Sequence, residues 1–464
     1  MERCGAQGVN FVVTIVLARL LAPKLYGTIA LVTVFTAILQ IFVDSGMGNA
    51  LIQKKDSDDV DFSSVFYFNI TMCSILYIGM FFSAPLIAEF YQRPELVPVV
   101  RVMSLTLVIS GVKNIQQAYV SKHMLFKKFF FSTLGGTIAA AIVGISMAYA
   151  GFGVWALVAQ DLTNKCIDTI VLWITVKWRP RLLFSWERLK GLISYGWKLL
   201  VSGLIDTVYN NVRQLIIGKM YTPEDLGLFN KGQQLPTTIV NNINTSIDSV
   251  LFPAMSSQQD SRERVKSMTR RSIKVSSYIM WPLMLGLSFT ATTIISLLMT
   301  DKWLGAVVYL RVFCITYAFY PIHTANLNAI KAMGRSDIYM KLEIMKKGFG
   351  LATMLVTMFI SVKAMAYSLL LVSVVSQIIN AWPNRKLLGY SYWEQIKDIL
   401  PAIIVSLIAC ICIVPLNFMA IPKIIKLTVQ VVIAASVYIG ISKVFKMEAF
   451  RYICSTAKEF KKKA

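Results

Sequence analysis

Histidine is almost missing from this chain. His123 and His323 are the only two, which leaves a histidine-ligated metal centre without ligands. Charge is also scarce, at 15% of residues against roughly 25% in soluble domains. The seven cysteines are scattered, and the only close pair, Cys410 and Cys412, lies inside an apolar run. That spacing indicates neither a disulfide framework nor a zinc site. There is no P-loop, no Gly-Xaa-Ser-Xaa-Gly elbow and no His-Glu-Xaa-Xaa-His. The expectation is a protein that is not an enzyme and has no resident metal or cofactor. Without a nucleotide-binding loop, any work it does draws on an ion gradient or on the substrate gradient itself.

What fills the space is apolar sequence. Of 464 residues, 56% are hydrophobic, and the mean hydropathy is +0.61. A bilayer-spanning helix needs roughly 17–25 apolar residues, and runs of that length recur from end to end. Fourteen candidate spans cover 4–21, 28–51, 63–90, 97–119, 130–150, 153–176, 192–219, 227–256, 272–299, 306–331, 341–361, 364–384, 398–416 and 422–443. The second and eighth read as the least apolar. The start, MERCGAQGVNFVVTIVLARLLAP, passes straight into an apolar segment with no small-residue cleavage site, which reads as a first span rather than a cleavable leader.

The net charge of +23 brings nucleic acid to mind, but its distribution answers better to a membrane. With the N-terminus cytoplasmic, the segments on that side include KWRPRLLFSWERLK, SSQQDSRERVKSMTRRSIK and the tail from Lys443. They carry about 29 Lys and Arg, the opposite loops about 6. Both termini then fall on the basic side, where anionic lipid also lies. No nucleic-acid partner is expected.

The chain repeats itself. Ala22-Pro23-Lys24-Leu25-Tyr26-Gly27 matches Thr222-Pro223-Glu224-Asp225-Leu226-Gly227 at a shift of 200. Asp44, Ala50 and Asp56 match Asp248, Ala254 and Asp260 at a shift of 204, and Arg101-Val102 and Thr106 match Arg311-Val312 and Thr316 at a shift of 210. Ordered matches with slowly growing shifts indicate duplication. Six spans separate the copies, so both have the same orientation, the parallel-repeat plan of alternating-access transporters. The expected fold is an all-α integral membrane protein with about 14 transmembrane helices. Two pseudo-symmetric six-helix lobes, 1–190 and 191–390, flank a central cleft. Residues 391–464 add two helices and a basic cytoplasmic tail.

Polar residues inside spans are costly and usually face the bundle interior. In the eighth span Gln234, Thr238, Asn241, Thr245 and Asp248 step by three or four, so they share a helix face. In the second, Thr33, Thr36, Gln40 and Asp44 do the same. The stripes read either as walls of a hydrated cavity for a polar solute or as interhelical hydrogen-bond glue. The seventh span carries Asp206, Asn210 and Arg213 on one face. Arg213 reads as an oxyanion clamp or as the partner of Asp206. Asp161, Asn164, Lys165 and Asp168 lie in the sixth. The candidate substrate residues are Arg213, Asn210, Asn241, Thr245, Gln234 and Gln40. The candidate ion-coupling carboxylates are Asp44, Asp248, Asp161, Asp168 and Asp206.

GAQGVNFVVTIVLARLLAPKLYGTIALV followed by FVDSGMGNALIQKKD resembles the opening of bacterial polysaccharide flippases of the multidrug/oligosaccharidyl-lipid/polysaccharide exporter superfamily. GVWALVAQDL and LFSWERLKGLISYGWKLLVSGLIDTVYNNVRQLIIGKMYTPEDLGLFNKGQQLP are similar to its colanic-acid and teichuronic-acid exporter branch. The resemblance implies export of an undecaprenyl-pyrophosphate-linked oligosaccharide across the bacterial inner membrane. Its partners would be membrane lipids and the glycan polymerase and glycosyltransferases of the same pathway. The other open readings are an ion-coupled drug or cation antiporter and a polytopic enzyme such as a polysaccharide polymerase. The outer loops are short, which counts against the latter.

Overall fold

The computed structural model describes residues 2–44 and 47–463, and those residues are helical throughout, with no strand among them. Every one of the fourteen candidate ranges falls on a helix or on two successive helices. The first six are α1 (Glu2–Leu20), α2 and α3 (Pro23–Asp44, Met47–Gln53), α4 (Asp59–Phe90), α5 and α6 (Leu96–Met103, Leu105–Lys122), α7 (Lys127–Tyr149) and α8 (Val154–Thr175). The next six are α9 (Trp186–Met220), α10 (Pro223–Ser256), α11 and α12 (Arg262–Phe289, Ala291–Met299), α13 and α14 (Ala306–Ala318, Tyr320–Ala332), α15 (Ser336–Thr357) and α16 (Val362–Leu388). The last two are α17 (Tyr392–Ile411) and α18 (Lys423–Val444), and the basic tail is a further helix, α19 (Glu448–Lys463).

Eight of these spans are apolar and long enough to cross a membrane by composition alone, and α11 with α12 makes a ninth bent by 68°. The second range is among the eight, so it is more apolar than expected. The helices that miss the test are α1, α8, α9, α10 and α15, and three of them, α8, α9 and α10, hold the polar residues singled out above. Large side chains such as Phe82 (73% exposed) and Ile174 (74%) lie on outward faces, as lipid contact requires.

The chain packs as two compact units, Met1–Gly227 and Leu228–Ala464. In the first, α7 and α8 form a hairpin, α1 lies on α7, and α2 packs against α6, α8 and α9. Its densest core gathers Leu51, Phe62, Phe66, Ile115, Leu172 and Trp178. The basic linker after α8 is pinned to the start of α4. Asp58 caps α4 in a reciprocal capping box with Asp61, and Arg188 reaches Asp58 at 2.6 Å. Trp178 Nε1 donates to Asp59 at 3.1 Å, and the backbone N–H of Arg181 donates to Ser63 Oγ at 3.0 Å. In the second unit, α11 is the hub, packed against α13, α14, α17 and α19.

The Pro-Xaa-Xaa-Xaa-Gly repeats meet each other within the first unit. A Cβ added at Gly27 would sit 1.7 Å from the carbonyl oxygen of Pro223, and one at Gly227 would sit 2.2 Å from that of Pro23. No side chain fits at either place. The starts of α2 and α10 therefore cross backbone to backbone.

Candidate functional site

The first unit encloses a cavity of about 1260 Å3 between α1, α2, α6, α7 and α8, larger than the roughly 300–1,000 Å3 of ordinary small-molecule sites. Its walls follow from helical spacing. From α1 come Gln7 and Asn10, three residues apart, and from α2 come Thr33, Thr36 and Gln40. Helix α8 contributes Gln160, Asp161, Asn164 and Lys165, and α7 contributes Thr133 and Thr137. Phe126, Phe129 and Phe130, at the start of α7, form an aromatic wall. Helix α8 comes this close to α7 because Gly136 has no side chain. A Cβ there would lie 2.8 Å from the carbonyl oxygen of Asn164.

Charges of both signs meet at the cavity. Lys165 interacts electrostatically with Asp161 and with Asp44. Asp44 accepts from Gln40 Nε2 at 3.3 Å and from Asn114 Nδ2 at 3.2 Å. Behind them Lys113 of α6 is ion-paired with the buried Asp168 of α8. In the low dielectric of a helix bundle such pairing is required, since a bare charge there costs several kcal/mol.

Of the residues singled out from sequence, the structure brings together Gln40, Asp44, Asp161 and Asp168. Gln40 and Asp161 line the cavity, and Asp44 and Asp168 belong to the ionic network beside it. Asp206, Asn210 and Arg213 lie on α9, outside the cavity lining, and Arg213 interacts electrostatically with Tyr209. In the second unit the α10 stripe bonds largely to its own helix. Thr238 donates to the carbonyl of Gln234 at 2.9 Å and Thr245 to that of Asn241 at 2.7 Å. Asp248 reaches another helix, accepting from Asn328 Nδ2 of α14 at 2.7 Å.

Sequence reasoning missed Lys113 altogether, although a lysine inside the fourth span was a signal. It also missed the buried amide network of the second unit. Asn326 and Gln395 exchange hydrogen bonds at 2.8 and 3.0 Å, Asn384 Nδ2 donates to Asn326 at 2.7 Å, and Asn380 Nδ2 lies 3.1 Å from His323 Nδ1. Among the described residues no group of histidines, cysteines and carboxylates is placed to hold a metal ion.

The teichuronic acid biosynthesis protein TuaB of Bacillus subtilis (strain 168) is 28% identical over 357 residues, covering 75% of this chain and 72% of that protein. The lipopolysaccharide biosynthesis protein WzxC of Escherichia coli (strain K12) is 22% identical over 416 residues, covering 86% and 83%. Among solved structures, the lipid II flippase MurJ in an inward closed conformation superposes with a TM-score of 0.78 at 13% identity, over 96% of this chain and 97% of that one. An inward-facing multidrug resistance MATE family transporter of the MOP superfamily gives 0.64 at 14% identity, over 82% and 94%. At such identities these two matches establish the fold alone, a polytopic bundle of helices. A model of the polysaccharide biosynthesis protein family matches residues 16–308, more than half of the molecule, and the chain belongs to that family.

Proposed function

We propose that this chain flips undecaprenyl-pyrophosphate-linked oligosaccharide units across the bacterial cytoplasmic membrane by alternating access, supplying cell-surface polysaccharide synthesis. The observation that carries the reading is the cavity of about 1260 Å3 lined by carboxamides and hydroxyls inside a membrane-spanning bundle, in a member of a polysaccharide biosynthesis family. Carboxamides both donate and accept, so they can replace the water lost by sugar hydroxyls. The relatives named for teichuronic acid and lipopolysaccharide synthesis support the same substrate class.

In this reading 1–190 and 191–390 are the two six-helix lobes, 391–464 carries the extra helices and tail, and both termini are cytoplasmic. No bond in the substrate is made or broken, so the protein is a carrier rather than an enzyme. Arg213 and Asn210 offer a site for pyrophosphate. Gln40, Gln234, Asn241 and Thr245 offer sugar contacts, and Asp44, Asp161, Asp168, Asp206 and Asp248 are the carboxylates available for ion coupling. The polymerase and glycosyltransferases of the pathway are the working partners. A drug antiporter of the same fold is the other reading; the carboxamides and hydroxyls that line the cavity favour a sugar over a cationic drug.

Deleting the gene tests the reading. Surface glycan should disappear, and its lipid-linked precursor should accumulate on the cytoplasmic side. Cysteines placed in 177–190 or 256–271 of a complementing copy should resist a membrane-impermeant thiol reagent applied from outside. Undiminished export in the deletion strain, or loss of export with no accumulated precursor, would overturn the proposal.

A further inference from the structure

We infer that the cavity of the first unit holds the hydroxyl-rich sugar end of the lipid-linked substrate, and that its pyrophosphate is bound outside that cavity. This deepens the flippase reading and rests on it. Charge is the first argument. Among the described residues, the only carboxylate and the only ammonium lining the cavity are Asp161 and Lys165, one of each sign. The groups just behind them add Asp44, Asp168 and Lys113, so three carboxylates stand against two ammonium groups. Lys165 is flanked by two of those carboxylates, and Lys113 is committed to Asp168. A pyrophosphate entering here would meet no surplus of positive charge, and an anion left uncompensated in low dielectric is strongly disfavoured.

Chemistry is the second argument. Six carboxamides line the space, those of Gln7, Asn10, Gln40, Gln117, Gln160 and Asn164. Each offers two N–H donors and a carbonyl acceptor, which suits hydroxyl groups that both give and take hydrogen bonds. Opposite in character is the wall of three phenylalanines, an apolar surface on which the C–H face of a sugar ring can rest. Size is the third argument. The cavity exceeds what a single small ligand fills and leaves room for several sugar residues.

The experiment measures binding to purified protein in nanodiscs of two probes. One is undecaprenyl pyrophosphate, and the other is the glycan-carrying lipid extracted from cells deleted for this gene. The native protein should bind the glycan-carrying lipid at least tenfold more tightly than the bare one. In the triple variant Asn10→Leu, Gln160→Leu, Asn164→Leu that advantage should vanish, with affinity for undecaprenyl pyrophosphate unchanged. Thr33→Val, an isosteric change on an exposed wall position, should remove part of the advantage, about threefold, and serves if the triple variant fails to fold. Equal weakening of both probes by the triple variant, or loss of bare-lipid binding in Lys165→Ala, would place the pyrophosphate in this cavity and overturn the inference alone. If neither probe binds better than undecaprenol, the flippase reading falls with it.

Discussion

The two copies of the repeat keep the same joints and bury different chemistry. Asp44 in α2 accepts from Asn114 in α6 at 3.2 Å, and the matching Asp248 in α10 accepts from Asn328 in α14 at 2.7 Å. Arg101 donates from Nε to the carbonyl of Phe81 in α4 at 3.3 Å, and Arg311 donates to that of Ser288 in α11, also at 3.3 Å. Around these shared joints the first copy places an ionic network, Asp161, Lys165, Lys113 and Asp168, beside a large cavity. The second unit instead buries an amide network of Asn326, Gln395, Asn384 and Asn380, with His323 beside it. The joints are therefore scaffold, since they survive duplication. The first copy adds the large polar cavity, which is why the site is sought there.

The largest effect that bears on this difference concerns its energetic weight. Lys113→Ala should lower the thermal stability of the purified protein sharply, by about 3–5 kcal/mol, because it strands Asp168 in the bundle. The double variant Lys113→Leu, Asp168→Leu should recover most of that loss. In the second copy, Asn326→Leu strands only neutral amides and should cost about 1–3 kcal/mol. Equal losses at Lys113 and Asn326, measured in the same detergent, would erase the distinction between an ionic and an amide network.

A smaller effect separates the paired arginines. Each should contribute roughly 0.5–1.5 kcal/mol through its carbonyl bond. Arg101 has in addition the ring of Phe81 at 4.2 Å, whereas Arg311 has the hydroxyl of Thr292 at 3.3 Å. Arg101→Ala should therefore cost more than Arg311→Ala, by about 0.5–1 kcal/mol. The reverse order in denaturation midpoints would show that the ring contact is not felt.

The smallest effect is a pH dependence that only the first copy should show. Its α4 is capped by Asp58, whose carboxyl the hydrogen bond from Arg188, helped by the N–H of Asp61, holds below the usual range. The corresponding α11 is capped by Ser261, which does not ionise. A carboxylate with a depressed pKa stabilises the fold above its unfolded value, about 3.9, and that contribution is lost as pH falls through the folded value. Hydrogen-exchange protection of the first turn of α4 should thus weaken below about pH 4, while that of α11 stays level. In Asp58→Asn the difference should disappear.

The helices and the family were legible in the sequence because both rest on long-range regularities. Apolar runs of bilayer length mark nine of the fourteen ranges, and the resemblance carried by GAQGVNFVVTIVLARLLAPKLYG agrees with the matched family. Breaks inside spans were not legible. The 68° bend between α11 and α12 falls at Thr290 with no proline or glycine next to it, whereas the interruption at Phe319 precedes Pro321, a helix-start signal that was passed over. Gln40 and Asp161 were picked out from polar spacing and do line the cavity. Gln7, Asn10 and Gln160 were passed over, although the steps from Gln7 to Asn10 and from Gln160 to Asn164 are helical spacings that put each pair on one face. Lys113 was missed because its partner Asp168 lies two spans further along the chain.

The crossing of Gly27 on Pro223 and of Gly227 on Pro23 gives the duplicated chain a shared mutational fate. Residue i of one copy meets residue j of the other, and j meets i in return, as in the isologous interface of a homodimer. A methyl group gained at Gly27 is not relieved by trimming its neighbour, because the obstacle is main chain. Drift at this junction is thus closed to both halves of the gene, even where the rest of the two copies has diverged.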